Sequence, residues 1–145
     1  MNKNKDFQAL AKGSWEIGHN EYLVAKNAYD TLRPIKAEVI CYLSQQAVEK
    51  SLKAILYSRG EDVPKGREGH DIIQLVRLVN KDAHLIDLNM RETRMFNNFA
   101  TKTRYIEMRM DFTEDNATFA LQKAEYVLQK AKEIISGHKQ EPHGG

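Results

Sequence analysis

Residues 40–56 are the segment that most constrains the fold, because they contain neither glycine nor proline. Apolar residues recur in this segment at spacings of three and four, which is the pattern of a helix that packs one face on a core. They are Ile40, Leu43, Ala47, Val48, Leu52, Ile55 and Leu56. The segment therefore predicts a long helix with one buried face.

The polar residues of this helix form a second stripe, which we call the polar ridge. It consists of Gln45, Gln46, Glu49, Lys50 and Lys53. Glu49 precedes Lys53 by four residues, the favourable order for an ion pair on a helix surface. The ridge is expected to be either an ordinary solvated face or a surface that binds a ligand.

The rest of the chain also has helical patterning, and no run alternates apolar and polar residues as a strand would. We predict helices from Phe7 or Ser14 to Thr31, from Pro34 to about Ser58, from His70 or Asp71 to Val79, from Asn89 to about Tyr105, and from Thr113–Asn116 to Gly137. Long helices with short connections predict an all-α, up-and-down helical bundle of four to five helices. The bundle is expected to be one domain, residues 1–137, with a flexible tail at 138–145.

Composition excludes several classes of protein. The formal net charge of +2 is too small for a non-specific nucleic-acid coat protein, so any RNA contact must come from a local patch. No apolar run approaches the ~20 residues that span a bilayer, and no apolar stretch follows the charged N-terminus as in a signal peptide. A single cysteine, Cys41, cannot form an internal disulfide. These features predict a cytoplasmic protein without a membrane segment.

No sequence pattern typical of a cofactor or metal site is present. The chain lacks a phosphate-binding glycine loop, Cys or His pairs at zinc spacing, and a nucleophile elbow. We therefore expect no cofactor and no metal.

Four segments of the chain resemble HEPN domains. Residues 45–56 resemble the family signature Gln-Ala-x-Glu-Lys-x-x-Lys-Ala, here Gln46 to Ala54. The other three segments follow the family order: Ser14-Trp15 in an early helix, Gly69-His70-Asp71-Ile72 before a middle helix, and Tyr105-Ile106-Glu107-Met108-Arg109-Met110-Asp111. The resemblance covers roughly residues 12–137, although Met110 and Asp111 stand where the family usually has Tyr and Pro.

The HEPN resemblance implies a helical, side-by-side homodimer in a prokaryotic cytoplasm. It further implies a module that binds a nucleotide or RNA and accompanies a small nucleotidyltransferase, as in a toxin–antitoxin pair. The expected ligand-binding residues are Gln46, Glu49, Lys50, Lys53, His70, Tyr105 and Arg109.

Two other functions stay open. The first is suggested by the HEPN resemblance, because HEPN ribonucleases cleave RNA without a metal. Their motif is an Arg followed by a His four to six residues later. Arg109 lies nearest to that position, but the next histidine is His138. Arg77 and His84 have six residues between them, yet lie elsewhere in the chain, so they are only weak catalytic candidates. The remaining alternative is a helical dimer that acts as an interaction scaffold without a small ligand.

Overall fold

The computed structural model describes residues 3–99 and 112–139, and every regular element within them is helical. The helices are α1 (Lys3–Thr31), α2 (Ala37–Ser58), a 3-10 helix (Gly66–His70), α3 (Ile72–Val79), α4 (Met90–Phe99) and α5 (Glu114–Lys139). The prediction of an all-α helical fold is confirmed. No helix of this described part is both long and apolar enough to cross a membrane.

The core forms where α1 and α5 pack on α2, with α3 and α4 closing another side of α2. The apolar stripe predicted for α2 is buried, and Ile40, Val48 and Leu52 are fully inaccessible to solvent. The side of α5 that faces the core is rich in alanine, including Ala117 and Ala124, which are also fully buried. Small side chains let the backbones of two packed helices approach closely. Since α1, α3, α4 and α5 all pack on α2, α2 lies at the centre of the bundle.

α1 and α2 run antiparallel, and their closest approach is at Gly18. The Phe7 ring lies 6.4 Å from the Tyr57 ring at one end of the pair. A Cβ atom on Gly18 would lie 3.0 Å from the Lys50 Cβ and 3.1 Å from the Ala47 carbonyl oxygen. Glycine in a helix interior lowers helix stability, but here it allows α1 to pack tightly on α2 at Ala47 and Lys50.

The beginnings of α3 and α5 follow the predicted capping chemistry. Asp71 Oδ1 accepts a hydrogen bond from the Ile73 backbone N–H at 2.9 Å. Thr113 Oγ1 accepts from the Asn116 N–H, and Asn116 Oδ1 accepts from the Thr113 N–H. These bonds satisfy backbone donors that have no partner within the helix.

Three predicted helix boundaries are wrong. α1 includes Lys3, four residues before the earliest start expected, because the glycines do not interrupt a helix that packs along α2. Pro34 precedes α2, which begins at Ala37, its first buried residue. α5 continues to Lys139, past Gly137, and a Cβ atom added at Gly137 would meet no neighbouring atom.

Candidate functional site

The centre of the candidate site is the buried carboxylate of Glu49 on α2. Its Oε2 atom lies 2.9 Å from Lys53 Nζ, 3.1 Å from His70 Nδ1 and 3.7 Å from Lys50 Nζ. Its Oε1 atom accepts a hydrogen bond from Gln45 Nε2 at 3.3 Å. We call these five residues the Glu49 cluster. The cluster joins α2 to the 3-10 helix that precedes α3.

The Glu49–Lys53 ion pair occurs as predicted, but the prediction that this pair lies on the surface is wrong. The Glu49 side chain is only 1% exposed and Gln45 is completely buried. The physical reason is that other elements of the fold pack on this side of α2, among them the 3-10 helix, whose His70 contacts Glu49. The polar ridge is thus divided between a buried part and an accessible part.

The accessible part of the ridge contains Lys50, Lys53 and Gln46. The Lys50 side chain is 27% exposed and its ammonium group is 3.7 Å from Glu49, whereas the Lys53 side chain is 13% exposed and closer to Glu49. Gln46 Nε2 donates to Tyr42 Oη at 3.1 Å. Lys50 is therefore the lysine that can move to a ligand with the smaller loss of interaction.

His70 reaches the Glu49 cluster from the C-terminal end of the 3-10 helix. Its ring is 66% exposed, and Nδ1 contacts Glu49. The preceding turn is tight, since a Cβ on Gly69 would collide with the Pro64 carbonyl oxygen. Asp71 then caps α3 and accepts a hydrogen bond from Asn97 Nδ2 at 2.9 Å, which attaches this turn to α4. Residues on both sides of His70 therefore fix its position.

Two opposing effects act on the Glu49 carboxyl group. Burial alone would raise its pKa, but the hydrogen bond and charge of Lys53, together with the charges of His70 and Lys50, lower the pKa overall. Glu49 therefore stays ionised at neutral pH. It acts as the fixed negative charge that holds the surrounding donors in place.

A second carboxyl group, Glu21 on α1, lies near the cluster and was missed by the sequence analysis. Its Oε1 atom is buried and has no hydrogen-bond partner in the described structure. Burial raises the pKa of Glu21, the charge of Lys50 opposes this shift, and the charge of Glu49 adds to it. Its place on α1, three residues after Gly18, is the only sequence signal that could have indicated this proximity.

The predicted ligand-binding residues are thus only partly brought together. Glu49, Lys50, Lys53 and His70 form one cluster, while Gln46 lies beside them and contacts Tyr42. Tyr105 and Arg109 lie outside the described residues. The cluster presents an imidazole and an ammonium group at the surface, which are suitable donors for a phosphate.

The weak catalytic candidates, Arg77 and His84, lie apart from the Glu49 cluster. Arg77 is exposed in the last turn of α3. His84 is exposed on the following loop, with Nε2 3.6 Å from Asp87 Oδ1. No hydrogen bond or ion pair joins Arg77 to His84 in the described structure.

No set of three or more His, Cys, Asp or Glu side chains in residues 3–99 and 112–139 is arranged to hold a metal ion. The side chains of the Glu49 cluster are a carboxylate, two ammonium groups, an imidazole and an amide. They can bind an anion, orient an imidazole and keep a carboxylate ionised.

Comparison with known proteins gives one family. No curated protein and no solved structure matches the chain significantly. The family model of the HEPN domain matches residues 21–134, which include α2, the 3-10 helix, α3, α4 and most of α5. The matched region contains every residue of the Glu49 cluster and most of the chain. The protein therefore belongs to the HEPN domain family.

Proposed function

We propose that this protein is a non-catalytic HEPN-type module that binds a nucleotide or RNA through the accessible side of the Glu49 cluster. Family membership supports a function related to nucleotides or RNA. The observation that carries the proposal is the arrangement of Lys50 and His70. Both are accessible cationic or potentially cationic groups, and both are positioned by one buried carboxylate.

In this proposal Lys50 and His70 contact the phosphate, and Lys53 and Gln45 keep Glu49 in place. Lys53 makes the shorter ion pair and is the more buried lysine, so its role is structural. Gln46 lies on the same side of α2 as Lys50 and supplies an amide for further contacts to the ligand. Tyr105 and Arg109 remain proposed contacts.

We further propose that the module is a cytoplasmic homodimer that partners a small nucleotidyltransferase in a toxin–antitoxin-like pair. α1 offers support for self-association, since Leu10, Ile17 and Val24 are each about half exposed. Their seven-residue spacing is that of a helix seam that packs against another helix. Light scattering of the wild type and of Ile17→Glu tests this claim, with a dimer and a monomer as the expected results. A monomeric wild type at micromolar concentration contradicts it.

The binding proposal is tested by calorimetric titration of ATP, GTP and short RNA into the purified protein. Lys50→Ala should weaken binding about tenfold or more, because it removes a charged contact to phosphate. Lys36→Ala is the matched control, since Lys36 is an exposed lysine at the start of α2. Equal binding by wild type, Lys50→Ala and His70→Ala would show that the cluster is not the ligand site.

A second function, metal-independent RNA cleavage, is favoured by one observation. His70 is held through Nδ1 by a buried carboxylate, and Nε2 bonds to no described residue. This is the arrangement of a histidine prepared for proton transfer. Incubation of the protein with cellular RNA in EDTA tests it, beside His70→Ala and His84→Ala. Cleavage lost in one variant identifies the histidine involved, and no cleavage by the wild type supports the non-catalytic module.

A further inference from the structure

A groove of about 350 Å³ lies between α3 and α4, beyond the Glu49 cluster. Its walls are mainly apolar, and Met90 at its edge is 41% exposed. The lining residues are Ile73, Val76, Arg77, Asn80, Leu88, Met90 and Thr93. None of these seven residues belongs to the Glu49 cluster.

Three exposed arginines accompany this groove. Arg77 lines it from α3, and Arg94 lies one helical turn after Met90 on α4. Arg91 is on the same outer side of α4, three residues before Arg94. None of the three forms an ion pair or a side-chain hydrogen bond within the described part of the chain. The acidic residue between Arg91 and Arg94, Glu92, is already paired with Lys123 of α5 at 2.8 Å.

The three arginines thus differ from the cations of the Glu49 cluster in their surroundings. Lys53, Lys50 and His70 all share one carboxylate oxygen. A phosphate that binds to Lys50 and His70 must compete with Glu49, whereas no carboxylate within residues 3–99 and 112–139 is paired with Arg77 or Arg94. Guanidinium groups also donate two parallel hydrogen bonds to a phosphate, which a lysine cannot do.

We propose that the α3–α4 groove, with Arg77, Arg91 and Arg94, is a binding site for single-stranded RNA. This inference rests on the proposed function, and it adds a second site that contacts several phosphates. The guanidinium groups bind the backbone. The apolar walls around Met90 receive the faces of the bases.

The polar residues of the groove predict little discrimination between bases. The Asn80 amide is already occupied, since Nδ2 donates to the Ile86 carbonyl and Oδ1 accepts from the Leu85 and Ile86 N–H groups. Thr93 Oγ1 donates to the Met90 carbonyl. The groove thus has few free groups for base edges, so affinity comes from phosphates and from apolar contact.

The test is fluorescence anisotropy with a labelled single-stranded 12-nucleotide RNA over a range of salt concentrations. Three phosphate contacts on a single strand predict a slope of log affinity against log salt of roughly −2. Arg77→Ala/Arg94→Ala should weaken binding about tenfold or more and, with two of the three contacts removed, make this slope shallower by about 1.4. Lys12→Ala/Lys36→Ala removes the same charge elsewhere and should change both quantities much less.

Met90→Gln separates the apolar contribution from the ionic one. Glutamine has a similar length and helix propensity, so the variant should keep the salt slope and lower the affinity several-fold. Oligonucleotides of uridine and of adenosine should bind the wild type with similar salt slopes. A large preference for one base that survives in Met90→Gln contradicts the predicted mode of binding.

The outcomes also distinguish this inference from the proposed function. RNA binding that is lost in Lys50→Ala but unchanged in Arg77→Ala/Arg94→Ala supports the proposed function and overturns the groove. If the protein binds mononucleotides but not RNA, the proposed function is likewise supported and the RNA site in the groove is overturned. Preference of the groove for a labelled acidic peptide over RNA, lost in the arginine variant, also overturns the inference because it identifies a protein ligand.

Discussion

The Glu49 cluster and the α3–α4 arginines show two ways in which one small domain uses positive charge. In the cluster, the side chains of Lys53, Lys50 and His70 meet at one buried carboxylate oxygen. On the α3–α4 face, Arg77 and Arg94 are exposed and have no acidic partner among the described residues. The first region joins α2 to the 3-10 helix and balances its cations with one carboxylate, whereas the second exposes guanidinium groups without such a counter-charge among the described residues.

This difference shows that a cationic residue cannot be assigned to binding by type alone. Lys53 lies in the family signature, yet its ammonium group mainly compensates a buried charge. Arg77 lies outside that signature, yet it has no ion-pair partner in the part of the chain that the structure describes. The number of counter-charges that surround a group therefore indicates whether its removal should affect stability or binding.

The largest expected effect on stability is that of Glu49→Ala. It leaves Lys53 and the buried Gln45 amide without their acceptor, and removal of one member of a buried ion pair costs about 3–5 kcal/mol. Urea unfolding measures this loss. Glu16→Ala, which removes an exposed carboxylate from α1, should stay within about 0.5 kcal/mol of the wild type. A loss below about 1 kcal/mol for Glu49→Ala would remove the proposed contrast between the two regions.

The tight packing of α1 on α2 beside Lys50 is tested by two glycines of α1. Gly18→Val should cost about 1–3 kcal/mol, because the new side chain meets the Lys50 Cβ and the Ala47 carbonyl oxygen. Gly13→Ala should raise stability by roughly 0.5–1 kcal/mol, since it favours the helix and a Cβ there meets no neighbour. Thermal unfolding of both variants measures the difference, and equal effects would show that α1 is not closely packed at Gly18.

The two carboxyl groups near the cluster should respond to pH in opposite directions. The pKa of Glu49 is lowered, so its contribution to stability is present at neutral pH and is lost as the pH falls through that lowered pKa. Burial raises the pKa of Glu21, so its ionised form destabilises the folded state, and acidification through the raised pKa relieves this effect.

Urea unfolding of the wild type and of Glu21→Gln between pH 7 and pH 3 measures this opposition. Glu21→Gln should be more stable than the wild type at pH 7 and should lose that advantage as the pH falls. Glu16→Gln is the exposed control and should follow the wild type throughout. An unchanged difference between Glu21→Gln and the wild type at every pH would contradict the role assigned to Glu21.

Features that depend on one segment could be predicted from the sequence, and features that depend on two segments could not. The apolar stripe of α2 and the helix start near Asp71 require only local spacing and side-chain chemistry. The stripe is buried as predicted, and Asp71 caps α3, which begins at Ile72. The environment of Glu49 depends on contacts such as that with His70, which lies 21 residues later in the chain. Glu21 was missed for the same reason.

The sequence also could not predict that the Arg77 guanidinium group has no ion-pair partner among the described residues. Asp71, Asp82, Asp87 and Glu92 lie within seven residues of Arg77 or Arg94 in the sequence, so ion pairs with them were possible. Only the folded chain shows that Glu92 pairs with Lys123 instead and that Asp71 accepts hydrogen bonds from α3 and from Asn97. Absence of a partner is a property of the whole fold.

The smallest expected effect on stability is that of Arg77→Ala/Arg94→Ala, about 0.5 kcal/mol or less for each exposed position. Arg59 serves as the comparison, because it is also an arginine but its side chain is hydrogen-bonded. Its guanidinium group donates to the Leu78 and Val79 carbonyls at the end of α3. Its removal should cost about 1.5–3 kcal/mol, because both hydrogen bonds involve a charged donor.

Urea unfolding of the two variants measures the change in the free energy of unfolding, and the RNA titration measures the change in RNA affinity. Arg77→Ala/Arg94→Ala should alter binding and leave stability nearly unchanged, and Arg59→Ala should do the reverse. Loss of stability in Arg77→Ala/Arg94→Ala comparable to that of Arg59→Ala would mean that these side chains support the fold. Their lack of ion-pair partners would then no longer indicate a surface that is kept free for a ligand.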